Sequence, residues 1–175
     1  MSARGKPELL NRELRPELLS RRGEFVAWGS TLLAAAAWVI LALRGQRPQA
    51  ILVILVVFLL LSALALSLGN WVDRRTAIRI ADWGIQFENG LRQVKLRWDE
   101  IHQVHVFDSR MGSKVRVLGE RTYFDFRTLA EIQLQGKVKG HMGFREGEAM
   151  LEHILEAAEL KPVDQSEGVQ YYARE

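Results

Sequence analysis

Hydrophobic positions along this chain fall into two textures. Residues 25–43, "FVAWGSTLLAAAAWVILAL", and 50–68, "AILVILVVFLLLSALALSL", are uninterrupted runs without a charge. Each comes close to the ~20 residues a helix needs to cross a hydrocarbon core of ~30 Å, so the pattern predicts a transmembrane hairpin over residues 25–71. The connecting "RGQRPQ" has room only for a tight antiparallel return, with Pro48 suited to the first turn of the second helix. A cleaved signal peptide fits the first run poorly, because the segment before it is long, of mixed charge and without a small-x-small cleavage site.

After the second run the period shortens to two. "TAIRIAD", "GIQFE" and "LRQVKLRW" alternate, and Asn89-Gly90 between the last two is a strong short-hairpin signal. A two-residue turn there pairs Glu88 with Leu91, Ile85 with Val94 and Trp83 with Leu96; the apolar pairs share one face, while Gln86 meets Gln93 and Asp82 faces Arg97 on the other. Further strands are read in "HQVHVFD", "KVRVLGE", "TYFDF" and "EIQLQ". Seven short strands at close spacing predict a compact antiparallel barrel or sandwich. In "REGEAMLEHILEAAEL" the period becomes helical: Met150, Leu151, Ile154, Leu155 and Ala158 form a stripe that needs an apolar partner, and the open end of the barrel offers one. Lys161-Pro162 ends that helix, and residues 161–175 read as a flexible tail.

Ahead of the first run, Pro7-Glu8-Leu9-Leu10 recurs as Pro16-Glu17-Leu18-Leu19. Each copy can start a short helix, so residues 1–24 read as an amphipathic leader that lies on the membrane or docks on a partner, or else as a solvated, frayed segment. The expected fold class is thus α+β: leader, hairpin, a strand-rich domain over residues 72–160 closed by a C-terminal helix, and a tail.

Charge orients this plan. Arg12, Arg15, Arg21 and Arg22 precede the first span and Arg74, Arg75 and Arg79 follow the second, against Arg44 and Arg47 in the loop, which predicts both termini and the soluble domain on the cytoplasmic side of the cytoplasmic membrane. Arg21, Arg22, Trp71, Arg74 and Arg75 are the expected interface anchors, and Gly29, Ala35 and Ala36 are small enough to admit a neighbouring helix. The net charge of +3 comes without a nucleic-acid-binding motif, so nucleic acid is not an expected partner. With no cysteine, disulfides, thiolate metal sites and cysteine nucleophiles are excluded.

"RWDEIHQVHVFDS" gathers three acids and two histidines. On a helix His102 and His105 would share a face and could hold a metal. The β-forming Val104, Val106 and Phe107 instead predict a strand, with His102 pointing alongside Val104 and Val106 and His105 alongside Gln103 and Phe107, which separates the rings. His141 reads as a lone loop histidine and His153 as lying on the charged side of its helix. No nucleophile elbow, P-loop, dinucleotide fingerprint or zincin helix is present, so neither enzymatic activity nor a cofactor is expected.

Seven strands followed by an amphipathic helix is the order of a pleckstrin-homology-like domain. "GIQFENGLRQVKLRWDEIHQV" resembles the bacterial members that follow a two-helix membrane hairpin: strand, Gly-bearing turn at Asn89-Gly90, a strand ending in Trp98, the corner Asp99-Glu100-Ile101, and the next strand through Val104. At the corner, Asp99 and Glu100 would satisfy backbone donors while Ile101 plugs the core. Two function classes remain: a membrane-tethered scaffold, accessory subunit or assembly factor docked on a membrane protein complex or on its own copies, which the small residues of the first span favour, and an anionic-lipid-sensing regulatory anchor module. By likeness to lipid-binding members, Lys95 and Arg97 on one strand and Lys114 and Arg116 on another would contact anionic head groups, solvated surface charge being the alternative. In layout the chain is also similar to the thylakoid factor that helps assemble photosystem I, whose spans are joined by a longer loop.

Overall fold

The computed structural model describes residues 9–18, 20–45, 50–109, 112–134, 137–166 and 168–174. The chain divides into two compact units, Ser20–Val72 and a second that joins the leader to everything from Asp73 onward.

The first unit is built on two helices, α1 (Arg22–Leu43) and α2 (Ala50–Arg74), the latter running on into the second unit. At 1.5 Å per residue their 22 and 25 residues reach about 33 Å and about 38 Å, long and apolar enough to cross a membrane. Only Thr31 and Ala63 are buried along them, and most of the leucines, isoleucines and valines are exposed. A core helix of a soluble protein would be covered instead. A polar clasp ties the two together at the leader end. Trp28 Nε1 donates to Ser67 Oγ (2.9 Å), Ser67 Oγ donates to Glu24 Oε1 (2.8 Å) and Asn70 Nδ2 donates to Glu24 Oε2 (2.8 Å). Arg47 and Pro48 of the loop lie outside the described residues.

The second unit is a two-sheet sandwich. One sheet runs β1 (Glu13–Leu14), β2 (Ala77–Ala81), β3 (Gly84–Glu88), β4 (Gln93–Arg97). The other holds β5 (Ile101–Phe107), β6 (Lys114–Gly119) and β7 (Tyr123–Arg127), extended past β5 by β11 (Val169–Ala173) and β10 (Lys161–Ser166). A separate antiparallel pair, β8 (Ala130–Leu134) and β9 (Lys137–Met142), precedes α3 (Gly147–Ala157). The expected barrel does not close; the strands form separate sheets whose inner faces share one core. Ile78, Ile80, Ile85, Val94 and Leu96 come from one sheet, Val104, Val115, Val117 and Phe124 from the other. Phe87 and Phe124 stack between the sheets at 5.2 Å. The α3 stripe is as expected, with Met150, Ile154 and Ala158 buried and Leu151 and Leu155 against the same core.

Four expectations are corrected. The second leader copy is not a helix, since the leader is extended over its described residues. Leu14 pairs with Ile78, Leu10 bridges Ile80, and Glu17 exchanges backbone hydrogen bonds with Gly143 (2.7 and 3.2 Å). Leu9 and Leu14 are buried, and entering this core offers those two leucines more apolar contact than a short isolated helix could. Gly143 itself lies tight against the end of β7, with φ +103° and no room for a β-carbon, which would collide with the Thr128 carbonyl.

Residues 161–173 are not a loose tail but form the β10–β11 hairpin, turned at Gly168 (φ +76°), with β11 paired along its whole length to β5, from Val169↔Phe107 to Ala173↔Gln103. Val169, Tyr171 and Tyr172 supply the β preference.

The Asn89-Gly90 register is shifted by two: Glu88 pairs with Gln93, Phe87 with Val94 and Ile85 with Leu96. A type I′ turn needs positive φ at both central residues, and Asn89 lacks it. Its Oδ1 instead accepts the amides of Leu91 (3.2 Å) and Arg92 (3.0 Å), lengthening the loop to four residues. Finally, β5 carries a bulge between Ile101 and Gln103, so His102 turns outward rather than pointing with the buried Val104 and Val106.

Candidate functional site

The outer face of the β1–β4 sheet follows from burial of the inner one. With Ile78 and Ile80 inward, Ala77 and Arg79 face out, and the registers align Glu13, Arg79, Gln86 and Lys95 in one row across four strands. At the start of β2 this face deepens into an open cleft of about 410 Å³, lined by Glu13, Arg15, Arg74, Arg75, Arg79 and Glu88, with Ala77 and Gln86 at its base. Four guanidinium groups meet two carboxylates there. Glu13 sits between Arg79 (2.6 Å) and Arg15 (2.7 Å). Hydrogen bonds from Arg79 and then Arg15 hold its carboxyl below the usual range, so at neutral pH it is an anion that positions two cations. A cluster of forked donors with a surplus of positive charge is suited to binding an oxyanion.

The expected head-group residues are not brought together. Lys95 stands beside the cleft row, whereas Arg97 is at the far end of β4, paired with Asp99 (3.1 Å). Lys114 and Arg116 belong to the other sheet and converge on Asp125, at 2.9 and 2.8 Å. Burial pushes the Asp125 carboxyl up, but hydrogen bonds from Arg116 and Lys114 outweigh it and leave the group below its ordinary value. Arg116 also lies over the rings of Tyr123 (5.2 Å) and Phe107 (5.9 Å). Of the expected anchors, Arg74 and Arg75 line the cleft, while Arg21 and Arg22 begin α1 and Trp71 lies near the end of α2. Gly29 has open space where a side chain would stand, Ala35 is half-buried and Ala36 is exposed.

The histidines occupy separate environments. His102 Nε2 is 3.6 Å from Glu120. His105 contacts Gln103 and packs against Tyr171 and Phe107, and burial and then the charge of Arg116 press its pKa down. His141 is on β9, not in a loop, between Glu17 and Glu131 at 3.8 Å each, and Glu17 also binds Arg145 (2.5 Å). His153 packs edge-on against Trp98 (5.6 Å) rather than standing on a charged face. Among the described residues no three His, Asp or Glu side chains are grouped to hold a metal. At the Asp99-Glu100 corner a Glu100 oxygen accepts the Arg97 amide (2.9 Å) and Ile101 is fully buried, as expected of a structural corner.

Sequence reasoning missed the cleft because Glu13 and Arg15 lie more than sixty residues from Arg79. The available signal was "ELR", whose alternation places Glu13 and Arg15 on one side of an extended segment and Leu14 on the other. No known protein family, characterised protein or solved structure matches the chain, so its chemistry is read from geometry alone.

Proposed function

We propose that this protein is a non-enzymatic, membrane-anchored scaffold, accessory subunit or assembly factor of a larger membrane protein complex, with a pleckstrin-homology-like soluble domain on the cytoplasmic side. One observation carries the reading: two helices long enough to span a bilayer are exposed along nearly their whole apolar length and belong to a chain that also buries a separate two-sheet core. Such helices need lipid or other helices around them. The open space at Gly29 and the exposed Ala36 leave a small-residue surface that a neighbouring span can approach.

Association rather than catalysis is supported by the state of the carboxylates. Glu13 and Asp125 are both held ionised by arginines, which makes them poor proton donors or acceptors near neutral pH. The pleckstrin-homology-like reading draws on the order of antiparallel strands followed by α3. It must accommodate eight strands rather than seven between α2 and α3, a leader strand and a C-terminal hairpin.

The test is purification of the full chain in mild detergent with identification of co-migrating proteins, alongside Ala35→Leu with Ala36→Leu. The variant adds bulk at the proposed contact without reducing hydrophobicity, and a drop in partner yield with normal insertion is expected. Undiminished yield would rule out docking through the first span. A second reading, an anchor that senses anionic lipid, is favoured by the arginine-lined cleft.

A further inference from the structure

We infer that the cleft lined by Arg15, Arg74, Arg75 and Arg79 binds the phosphate of an anionic glycerophospholipid from the leaflet in which α2 ends. The inference rests on the membrane-anchored reading and deepens it by naming the ligand of this site.

Charge comes first. Glu13 is shared by Arg15 and Arg79, and Glu88 is the second carboxylate, so the four arginines leave a net surplus of positive charge. Because Glu13 fixes Arg15 and Arg79 through charge-assisted bonds, those cations are already oriented when a ligand arrives, which reduces the ordering cost of binding. Lys95, next along the same row, adds to the field.

Chain continuity then selects the source of the phosphate. Arg74 is the last residue of α2 and lies four residues beyond Asn70, about 6 Å along the helix, so Arg74 and Arg75 stand where the apolar helix gives way to head groups. The cleft is open rather than enclosed, a poor trap for a free ion. A site tethered beside the leaflet meets lipid phosphate at a very high effective concentration. The arginines would repel the ammonium of a zwitterionic head group, so net-anionic lipid is preferred over phosphatidylcholine.

The inference separates this face from that of Lys114 and Arg116, which converge on Asp125 in the other sheet. The full chain is to be reconstituted in vesicles of phosphatidylcholine containing phosphatidylglycerol. Spin-labelled phosphatidylglycerol and phosphatidylcholine then report the lipid held at the protein. The wild type is expected to prefer phosphatidylglycerol, and Arg15→Gln with Arg79→Gln to lose about fivefold of that preference per arginine removed. Arg74→Gln with Arg75→Gln should do the same while leaving the Glu13 contacts in place, which guards against a loss caused by undocking of the leader. Lys114→Gln with Arg116→Gln should change little.

A wild type that integrates without preferring phosphatidylglycerol, or a preference that survives both cleft variants, overturns the site. Displacement of the spin-labelled lipid by millimolar inorganic phosphate would assign the cleft to a free ion and overturn the lipid. Release of the protein from the vesicles by alkaline carbonate would instead overturn the membrane-anchored reading itself.

Discussion

Leu14→Ala, a change in the leader, should destabilise the soluble unit on the far side of the two helices in sequence. Leu14 is 3% exposed and paired with Ile78, itself fully buried. Truncating a buried leucine removes its transfer free energy and leaves a cavity, together costing about 2–5 kcal/mol; a position at the sheet edge can partly collapse, so about 3 kcal/mol is expected. For a unit of about 120 residues, this corresponds to a fall of about 10 °C in melting temperature. The assay is near-ultraviolet circular dichroism of the full chain in mild detergent, with hydrogen exchange of the β2 and β3 amides as a local readout. Leu10→Ala is the control, since Leu10 lies in the same leader but is 43% exposed. It should cost less than about 1 kcal/mol. A double-mutant cycle with Ile78→Val should show coupling, because the two residues are direct neighbours across the strands. If Leu14→Ala melts like Leu10→Ala, the leader is not part of the core and the shared-core account is wrong.

Gly84→Ala should prevent proper pairing of β3 with β4, because a β-carbon there would collide with the Leu96 carbonyl oxygen; limited proteolysis should show the sandwich opened, and a protease-resistant variant would contradict the close approach. Glu24→Ala removes the acceptor for Ser67 and Asn70 and should loosen the hairpin by about 1 kcal/mol, read as a lower midpoint of heat-induced aggregation in detergent, whereas Glu24→Gln should retain part of the clasp. His105 is pushed towards its neutral form in the folded state by burial and by Arg116. The unfolded chain therefore binds more protons below about pH 6.5, and stability should fall as pH drops through that value towards the lower folded pKa. Thermal melts from pH 8 to pH 5 should be flatter for His105→Gln, and an unchanged slope would show that another group carries the dependence.

Periodicity over a window announces its own element. The uncharged runs became α1 and α2, alternation from Ala77 to Phe126 became β2 to β7, and the Met150–Ile154–Ala158 stripe became the buried face of α3. What failed was pairing decided by partners outside the window. "PELL" at residues 16–19 has the residues of a helix start, yet Glu17 bridges Gly143 and the leader before it pairs with β2, both of which follow α2 in the chain. The C-terminal hairpin was hidden because "VQYYA" had no visible partner until β5 offered a free edge, and β9, "KVKGHM", because Gly140 and two lysines dilute its alternation. The shifted β3–β4 register kept Ile85, Val94 and Leu96 on their expected buried face, since a slip of two preserves parity, whereas Trp83, just ahead of β3, is exposed. The candidate site was the least legible part: Arg74 and Arg75 stood out as anchors, but only the β1–β2 pairing brings Arg15 beside Arg79.

The shared core also constrains how the chain must be built. Leu9 and Leu14 are synthesised before either helix, while Ile78 and Ile80, against which the leader pairs, come after both. Closing that contact means bringing together segments more than sixty residues apart, a loop whose entropic cost grows only slowly with length and falls once the intervening residues are ordered. The Glu24–Ser67–Asn70 clasp orders them: it fixes the start of α1 to the end of α2, the points from which the leader and β2 depart. A single crossing would leave the leader and the sandwich on opposite sides of the bilayer with Leu9 and Leu14 unable to enter the core. If both helices cross a bilayer, as proposed, the two crossings return the chain to the side from which it started, the arrangement that a buried leader requires. The cleft arginines likewise come from both ends of the helix pair, Arg15 from the leader, Arg74 from the last position of α2, and Arg75 and Arg79 from the segment that follows it, so the same leader pairing that buries Leu14 brings them into one cleft.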